Sequence, residues 1–298
     1  MTATYVARPA SDDRFILGEG PVWDAKRDRV LWVDITAGWV LYGRIDGDRI
    51  ELVDRREFAG TVSAVTVSDD GSLLVAGAEG LIEVAPDGGR TPAQRILAHG
   101  AAHRLNDGKP DPAGRFLIGT SPLGTALNDE KLVRVEMDGS LTTLDDDLSL
   151  SNGLAWSRTT LYSVDSFRNT VWKRDYDAAT GVVGSREPFV RIEDGWPDGM
   201  CIDAEEHVWI AVCGRGQVRR FTPDGELVAV IDVAAPRTTS VAFVGTDLDL
   251  LMITTASDEL SAEQLAEWPE SGRVFTARVG VRGAPVPSWV PSRPVQPA

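Results

Sequence analysis

Short apolar runs alternate with polar turns along most of the chain, and helical periodicity is scarce. The runs are rich in β-branched and aromatic residues and are separated by Gly, Asp and Pro, a pattern typical of strands and hairpin turns. Two runs joined by a turn recur as a pair: GPVWDAKRDRVLWVDI, SAVTVSDDGSLLVAG, GKPDPAGRFLIGT, GLAWSRTTLYSVD, GMCIDAEEHVWIAV and SVAFVGTDLDLLMITTA. The sequence therefore predicts six copies of one hairpin.

The copies are evenly spaced along the chain. Each opens on a small residue, and these residues are Gly20, Ser63, Gly108, Gly153, Gly199 and Ser240. Successive ones are 43, 45, 45, 46 and 41 residues apart, a period typical of propeller blades with four strands each. We therefore predict an all-β fold, a six-bladed β-propeller with four-stranded blades. A β-sandwich with coincidental spacing is the alternative, and it accounts less well for six consecutive registers.

The two ends of the chain have different expected roles. The stretch YVARPASDDRFIL, before the first hairpin, predicts an N-terminal strand that pairs with the last blade and closes the ring, leaving no bare edge. We expect residues 1–298 to form a single propeller domain, with a Pro-rich tail at 284–298 that is extended or loose. One short helix is predicted in the last unit, where Ser261 and Gln264 form a capping box and Pro269 ends the run.

Composition and charge narrow the range of partners. The chain has 30 basic and 45 acidic side chains, a net charge of −15 that repels nucleic acid and anionic membranes. No run reaches the length of a membrane span, and the first residues lack a signal-peptide pattern. Two cysteines, Cys201 and Cys213, indicate buried thiols in a reducing compartment rather than a disulfide framework. We expect a cytoplasmic protein, a monomer or weak homo-oligomer, without nucleic-acid or membrane partners.

The repeat places several polar residues in one register. The residues directly before the small residues are Glu19, Val62, Asp107, Asn152, Asp198 and Thr239. In a propeller the innermost strands line the channel, so these positions face one axis. Carboxylates that share a small space repel one another unless a cation is present. Glu19, Asn152 and Asp198 are therefore predicted to bind a divalent cation, whereas Asp107 fits equally a place beside the ligands or at the substrate.

The chemistry of these ligands leaves the identity of the cation open. Oxygen donors suit Ca²⁺, Mg²⁺ or Mn²⁺, and Zn²⁺ or Fe²⁺ also accept carboxylate ligands. An isolated Asp before Gly is more often a turn residue, so the ligand interpretation depends on the common register. His103 lies beside this polar group in the sequence and could line the pocket, with a solvated loop position as the alternative. No G-x-S-x-G sequence indicates a serine hydrolase.

Five motifs, in this order along the chain, carry a resemblance to a known family. They are LGEGPVWD (17–24), RLNDGKPDPAGRF (104–116), SNGLAWS (151–157), PDGMCID (197–203) and GVRG (280–283). Together they resemble the SMP-30/gluconolactonase/luciferin-regenerating family, also called regucalcin-like, over about residues 15–289. The fold of that family is a six-bladed β-propeller, which agrees with the six hairpins.

The resemblance also implies an activity and assigns roles to residues. It implies a lactonase that needs one divalent cation (Ca²⁺, Zn²⁺, Mn²⁺, Mg²⁺ or Fe²⁺) and hydrolyses a sugar lactone to the aldonic acid. By motif position, Glu19, Asn152 and Asp198 resemble the metal ligands of the family, and Asp198 also resembles its acid/base. Arg104 and Asn106 resemble the pair that contacts the substrate.

One position departs from the family pattern, and two other functions remain open. Some members have a glutamate at the substrate wall where this chain has Gly124, so recognition of the sugar hydroxyls is expected to differ. A different metal-dependent esterase or phosphotriesterase-like hydrolase could use the same scaffold. A non-enzymatic calcium-binding propeller is the other alternative, although such a protein does not need carboxylates at matching axial positions.

Overall fold

Each innermost strand contacts the innermost strands of its two neighbours, and the sixth contacts the first, so six sheets surround one axis. The structure is a computed structural model that describes residues 2–292. Five sheets contain four consecutive blade strands each, and the sixth contains three together with an N-terminal strand. The predicted all-β, six-bladed β-propeller with four-stranded blades is confirmed.

The strands follow one another from the axis outward in every blade. The chain begins with two short strands, β1 (Ala3–Val6) and β2 (Arg8–Pro9). Blade 1 contains β3 (Gly18–Asp24), β4 (Arg29–Asp34), β5 (Trp39–Asp46) and β6 (Arg49–Glu57). Blade 2 contains β7 (Ala64–Val67), β8 (Leu73–Ala76), β9 (Gly80–Val84) and β10 (Arg90–Arg95). Blade 3 contains β11 (His103–Pro110), β12 (Phe116–Pro122), β13 (Glu130–Val135) and β14 (Leu141–Leu148).

The second half of the chain repeats this order. Blade 4 contains β15 (Ser151–Ser157), β16 (Thr160–Asp165), β17 (Thr170–Asp175) and β18 (Glu187–Arg191). Blade 5 contains β19 (Trp196–Ile202), β20 (Val208–Cys213), β21 (Gln217–Phe221) and β22 (Leu227–Asp232). Blade 6 contains β23 (Thr238–Val244), β24 (Leu250–Thr255) and β25 (Phe275–Ala277).

The N-terminal strands join the last two blades. β2 pairs antiparallel with β25 and becomes the fourth strand of blade 6, which confirms the predicted ring closure. β1 pairs in parallel with β22 and adds a fifth strand to blade 5, a contact that the sequence did not predict. The first residues of the chain thus cover an outer edge on two adjacent blades, where bare strand edges would otherwise face solvent.

The hydrophobic core lies in the layers between adjacent blades. In β8, β20 and β24 every residue is buried, because neighbouring blades cover both faces of these strands. This explains why the second run of each hairpin is almost continuously apolar instead of alternating. The two largest fully buried side chains are Trp32 and Trp209. Trp209 packs edge-on against Phe243 of the next blade.

The predicted helix is present as α1 (Ala262–Glu267), between β24 and β25. Ser261 Oγ accepts a hydrogen bond from Gln264 N, and Gln264 Oε1 accepts one from Ser261 N, so the capping box is confirmed. Across residues 2–292, no helix combines the length and the apolar character that crossing a membrane requires.

The first part of the Pro-rich tail crosses the propeller at the C-terminal ends of the innermost strands. Ala284 N donates to Ile202 O in blade 5, and Trp289 N donates to Val67 O in blade 2. The Trp289 side chain is buried against the layer between blades 2 and 3. The remainder of the predicted tail, 293–298, lies outside the described residues.

Candidate functional site

A bulge near the beginning of the innermost strand distinguishes five of the six blades. Within the described chain the register shifts there between Glu19/Val22, Leu105/Gly108, Asn152/Leu154, Pro197/Met200 and Thr238/Ser240. In blade 2, by contrast, β7 pairs with β8 without a shift. A bulge bends a strand and turns a side chain out of the regular alternation. The repeated bulge therefore places the residues before the small residues at one end of the channel.

The small residues of the repeat let the innermost strands approach one another closely. A Cβ added at Gly153 would collide with the backbone oxygen of Asp198 in the next blade. A Cβ added at Gly199 would collide with the Ser240 side chain. Because these strands almost touch, the residues beside them are brought together at the axis. This packing explains the small residue at the start of blades 4 and 5, whereas Gly20 has a positive φ of +53° and Gly108 packs against β12 of its own blade.

All six residues of the predicted axial register are buried, including three carboxylic acids. The exposed fraction is 6% for Glu19, 7% for Asp107, 7% for Asn152 and 9% for Asp198. The other two positions are Val62 and Thr239, and Thr239 donates its hydroxyl to Gly18 O over 2.6 Å. Blades 1, 3, 4 and 5 thus each contribute a buried side chain with oxygen donors to the predicted axial register.

Burial and mutual repulsion perturb these carboxylic acids strongly. Burial raises the pKa of Glu19, and the nearby charges of Asp198 and Asp107 raise it further. Burial also raises the pKa of Asp198 to about 8, with an added contribution from Asp107. The pKa of Asp107 is raised by its burial. Groups with pKa values shifted by burial and by a like charge in a cleft are typical of functional sites.

Asn152 is held in place by a residue that sequence reasoning missed. Asn152 Nδ2 donates to Ser166 Oγ over 3.2 Å, and the Ser166 hydroxyl donates to Pro197 O over 2.7 Å. Ser166 lies in a short 3₁₀ turn (Ser166–Arg168) after β16. The chain of bonds fixes the Asn152 carboxamide and ties it to the residue before Asp198. No motif marks Ser166, because the link forms only when blades 4 and 5 meet.

Arg104 and Asn106 lie together at the beginning of β11, beside the axial acids. Arg104 Nη1 donates to Asn106 Oδ1 over 2.5 Å, and Asn106 Nδ2 donates to Ser151 O in blade 4 over 2.9 Å. Burial lowers the pKa of Arg104, while the charges of Glu19 and Asp198 act in the opposite direction. A guanidinium is thus placed within electrostatic reach of both predicted metal-binding acids.

Arg237 is a second arginine near the axial acids, and the sequence analysis did not predict it as a site residue. Arg237 directly precedes β23, and its positive charge lowers the pKa of Asp198 against the larger effect of burial. It forms ion pairs with Asp258, at 3.4 Å from Nη2 to Oδ1, and with Glu259. Blade 6 therefore contributes charged side chains near the site, whereas the sequence register predicted only Thr239 from this blade.

His103 lies at the first position of β11 and pairs with an acid from the same blade. Its Nδ1 is 2.7 Å from Glu130 Oε1, and its Nε2 is 3.9 Å from Asp129 Oδ2. Neither acid was singled out from the sequence, because nothing in their local pattern differs from a polar strand start. His103 therefore forms a group with Glu130 and Asp129 rather than with the axial acids.

The connection between β12 and β13 forms part of the rim. It includes Gly124, where an added Cβ would meet no atom of residues 2–292 within 4 Å, so this position contributes no side chain to the rim. Leu123 and Leu127 in the same connection are 64% and 71% exposed, and Trp196 at the start of β19 is 49% exposed. The rim is therefore open and partly apolar.

The donor set fits a hard divalent cation. Asp198 Oδ1 is buried and has no hydrogen-bond partner within the described part of the chain, which is costly unless a ligand compensates. Two carboxylates and one carboxamide, from Glu19, Asp198 and Asn152, provide oxygen ligands of the kind that such ions prefer. A cation would also offset the repulsion between the buried acids.

Comparison with known proteins identifies the family of this propeller. Residues 17–257 match the family model described as SMP-30/gluconolactonase/LRE-like region. The chain belongs to this family. The recognition made from the five sequence motifs is thereby confirmed.

Individual relatives span almost the whole chain. It is 36% identical to a pentonolactonase, XacC, of Haloferax volcanii, over 96% of this chain and 97% of the relative. It is 33% identical to a 6-deoxy-6-sulfogluconolactonase of Pseudomonas putida, over 91% and 94%. Among solved structures, a calcium-binding protein, regucalcin, from Agrobacterium tumefaciens aligns with a TM-score of 0.90, at 28% identity, over 97% and 99% of the two chains.

Proposed function

We propose that this protein hydrolyses a sugar lactone to the corresponding aldonic acid at the axial site, with one divalent cation bound by Glu19, Asn152 and Asp198. The observation that carries the proposal is the buried Asp198 carboxylate, whose Oδ1 has no partner within the described residues and which lies near Arg104. Relatives that cover more than nine-tenths of the chain are a pentonolactonase and a 6-deoxy-6-sulfogluconolactonase, which supports a lactone as the substrate class.

Each protein group at the site has a separate role in the proposed hydrolysis. When bound, the cation would supply Lewis acidity toward the carbonyl oxygen of the lactone. Arg104 provides N–H donors and positive charge for the oxygen that becomes negative as water attacks, a type of contribution worth roughly 10²–10³ in rate. Asn106 orients the substrate beside Arg104. The fixed Asn152 carboxamide keeps the donor geometry constant through its bond to Ser166.

Asp198 moves the proton in the proposed reaction. One of its carboxylate oxygens accepts a proton from the attacking water as the new C–O bond forms. The same group returns the proton to the ring oxygen as the ring C–O bond breaks, so the lactone opens to a hydroxy acid. A positioned acid/base of this kind contributes roughly 10²–10⁴ in rate. The second carboxylate oxygen stays available to the cation during the transfer.

A pH-stat assay after chelation tests this proposal. The substrates are gluconolactone, xylonolactone, arabinonolactone and galactonolactone, with Ca²⁺, Mg²⁺, Mn²⁺, Zn²⁺ and Fe²⁺ re-added one at a time. We expect turnover of at least one lactone that is lost on chelation and restored by a divalent ion. Aryl esters and a paraoxon-like phosphotriester serve as comparison substrates.

Three outcomes would contradict the proposal in whole or in part. Faster turnover of the aryl esters or the phosphotriester than of every lactone would indicate a different hydrolase on this scaffold. Tight binding of a divalent ion without turnover of any lactone would indicate a cation-binding protein that is not a lactonase. Lactone turnover that is unaffected by thorough chelation would leave the substrate class intact but remove the cation from the reaction.

A further inference from the structure

A second group of potential metal ligands, made of other residues than the axial acids, lies where β11 and β13 begin. One ligand atom from each of His103, Asp129 and Glu130 lies within 4.8 Å of the other two. Glu130 is fully buried, His103 is 27% exposed and Asp129 is 51% exposed at the side chain. The cluster is therefore anchored at one end and accessible to solvent at the other.

The buried end of the cluster fixes the imidazole ring. Glu130 Oε1 is 2.7 Å from His103 Nδ1, and the other carboxylate oxygen accepts the Thr120 hydroxyl. Because a carboxylate oxygen only accepts hydrogen bonds, this contact favours the tautomer with the proton on Nδ1, which leaves the lone pair on Nε2. A carboxylate on the far nitrogen is the arrangement found behind many metal-binding histidines, where it sets the tautomer and raises ligand basicity.

The exposed end of the cluster supplies the second ligand. Asp129 Oδ2 is 3.9 Å from His103 Nε2. Two ligands of one Zn²⁺ ion, each at about 2.0–2.2 Å, are roughly 3.4 Å apart in a tetrahedron. A small rotation of the half-exposed Asp129 side chain covers this difference. Water would occupy the remaining positions, because the site opens to solvent.

We propose that His103 Nε2 and the Asp129 carboxylate bind a transition-metal ion of the Zn²⁺ class, with Glu130 fixing the imidazole. Imidazole favours Zn²⁺, Cu²⁺ and Ni²⁺, whereas carboxylate and amide oxygens alone suit Ca²⁺, Mg²⁺ and Mn²⁺. The protein would then carry two cation sites of different chemistry. The site at His103 and Asp129, called the rim site below, does not depend on the axial site or on the proposed reaction.

The rim site would also tie the β12–β13 connection to β11. Asp129 and Glu130 lie where that connection ends, and Leu123 N at its beginning donates to Ala102 O, directly before β11, over 2.9 Å. A bound ion would link its end to the same strand, which carries Arg104 and Asn106. We therefore expect Zn²⁺ to protect the connection at 123–129 from proteolysis, independently of any catalytic turnover.

Calorimetric titration with ZnCl₂ tests the proposal on the tag-free, full-length chain. The background is the Asp198→Asn variant, so that binding at the axial acids is weakened. We expect one Zn²⁺ equivalent whose binding is lost in His103→Ala and reduced at least tenfold in Asp129→Asn. Glu130→Gln should reduce affinity about 10–100-fold, the usual effect of changing the partner of a ligand.

His99 provides the matched control. Its Nδ1 lies 2.8 Å from Glu79 Oε1, but its side chain is 90% exposed, and His99 is not part of the three-ligand cluster found among residues 2–292. His99→Ala should leave Zn²⁺ affinity unchanged. Equal losses in His99→Ala and His103→Ala, or unchanged affinity in both His103→Ala and Asp129→Asn, would overturn the proposal.

Pulsed EPR with Cu²⁺ gives a second, independent measurement. An ion at the rim site should show modulation from the remote imidazole nitrogen, whereas an ion held by axial oxygen ligands should not. The signal should persist in the Asp198→Asn background and disappear in His103→Ala. Because Asp129 lies at the surface, the tenfold loss of Zn²⁺ affinity expected for Asp129→Asn in calorimetry tests the proposal even if His103→Ala fails to fold. Imidazole modulation that survives in His103→Ala would contradict the proposal.

Discussion

The tripeptide Pro-Asp-Gly occurs at residues 86–88, 197–199 and 223–225, in two very different environments. Asp87 and Asp224 are exposed in turns between outer strands, and Asp87 Oδ1 accepts a hydrogen bond from Gly89 N over 2.9 Å. Asp198 is only 9% exposed and lies at the bulge of an innermost strand. The comparison shows that position in the blade, rather than local sequence, separates a turn residue from a candidate catalytic group.

The largest expected difference between these sites is in turnover. Asp198→Asn should retain the fold and lower kcat for a lactone about 10²–10⁴-fold, because a general acid/base is removed. Asp224→Asn should leave kcat unchanged, because its side chain lies on the surface. Initial rates at saturating cation measure both variants. Near-wild-type turnover in Asp198→Asn would remove this residue from the reaction.

Gly199 in the innermost strand and Gly88 in a surface turn should differ in how an added Cβ destabilises the folded protein. Gly199→Ala forces a Cβ against the Ser240 side chain and backbone, and overpacking of this kind typically costs about 1–3 kcal/mol of unfolding free energy. It should also weaken cation binding, because Glu19, Asn152 and Asp198 depend on the close approach of the innermost strands. Denaturant titration and calorimetry measure the two effects.

Gly88→Ala is the matched control for Gly199→Ala. Gly88 has a φ of +93°, and no atom of the described residues lies within 4 Å of an added Cβ, so the substitution costs only backbone strain, about 1–2 kcal/mol. Cation affinity should stay at the wild-type value. In Gly199→Ala/Ser240→Gly, part of the lost stability should return. Full cation affinity in Gly199→Ala would show that the donor geometry tolerates a wider gap between blades.

A further difference is expected in the pH dependence of stability without a cation. The pKa of Asp198 is about 8 in the folded chain against an ordinary value of 3.8, so between these values the folded state binds more protons than the unfolded state. Asp198 therefore lowers the unfolding free energy as pH rises through this window, by at most about 1.4 kcal/mol per pH unit. Adding a divalent ion should stabilise the protein more at pH 8 than at pH 5.5.

Thermal unfolding in chelator, repeated from pH 5 to pH 8, checks this sign. Asp198→Asn should flatten the decline, because its side chain does not titrate. Asp224→Asn should reproduce the wild-type profile. A wild-type decline that is unchanged in Asp198→Asn would assign the pH dependence to other groups.

Much of the fold was predictable because the blade is a local unit. The hairpin pattern and its period of about 45 residues depend on neighbouring residues in the chain, as does the capping box at Ser261. The fifth strand that β1 adds to blade 5 was missed, because a four-residue parallel strand pairs with a partner more than 200 residues away. The burial of Trp289 also depends on blades that are distant in the sequence.

The candidate site was predictable only in part. The common register brings Glu19, Asn152 and Asp198 to one end of the channel, and it also includes Val62 and Thr239, which fill the ring without serving as predicted ligands. Their roles as ligands, together with those of Arg104 and Asn106, remain predictions. Ser166 and Arg237 have no counterpart in the register, because each acts across a boundary between blades.

The sequence by itself determined the number of blades, the order of the strands and the positions that recur at the beginning of each innermost strand. It could do so because alternation, turns and small residues are properties of consecutive residues. Only the tertiary structure decided which acids share a buried space, which carboxylate oxygen of Asp198 lacks a partner among the described residues, and that Glu130 holds the His103 ring. These features arise when closing the ring and pairing the strands bring distant side chains together, and burial then sets their electrostatics.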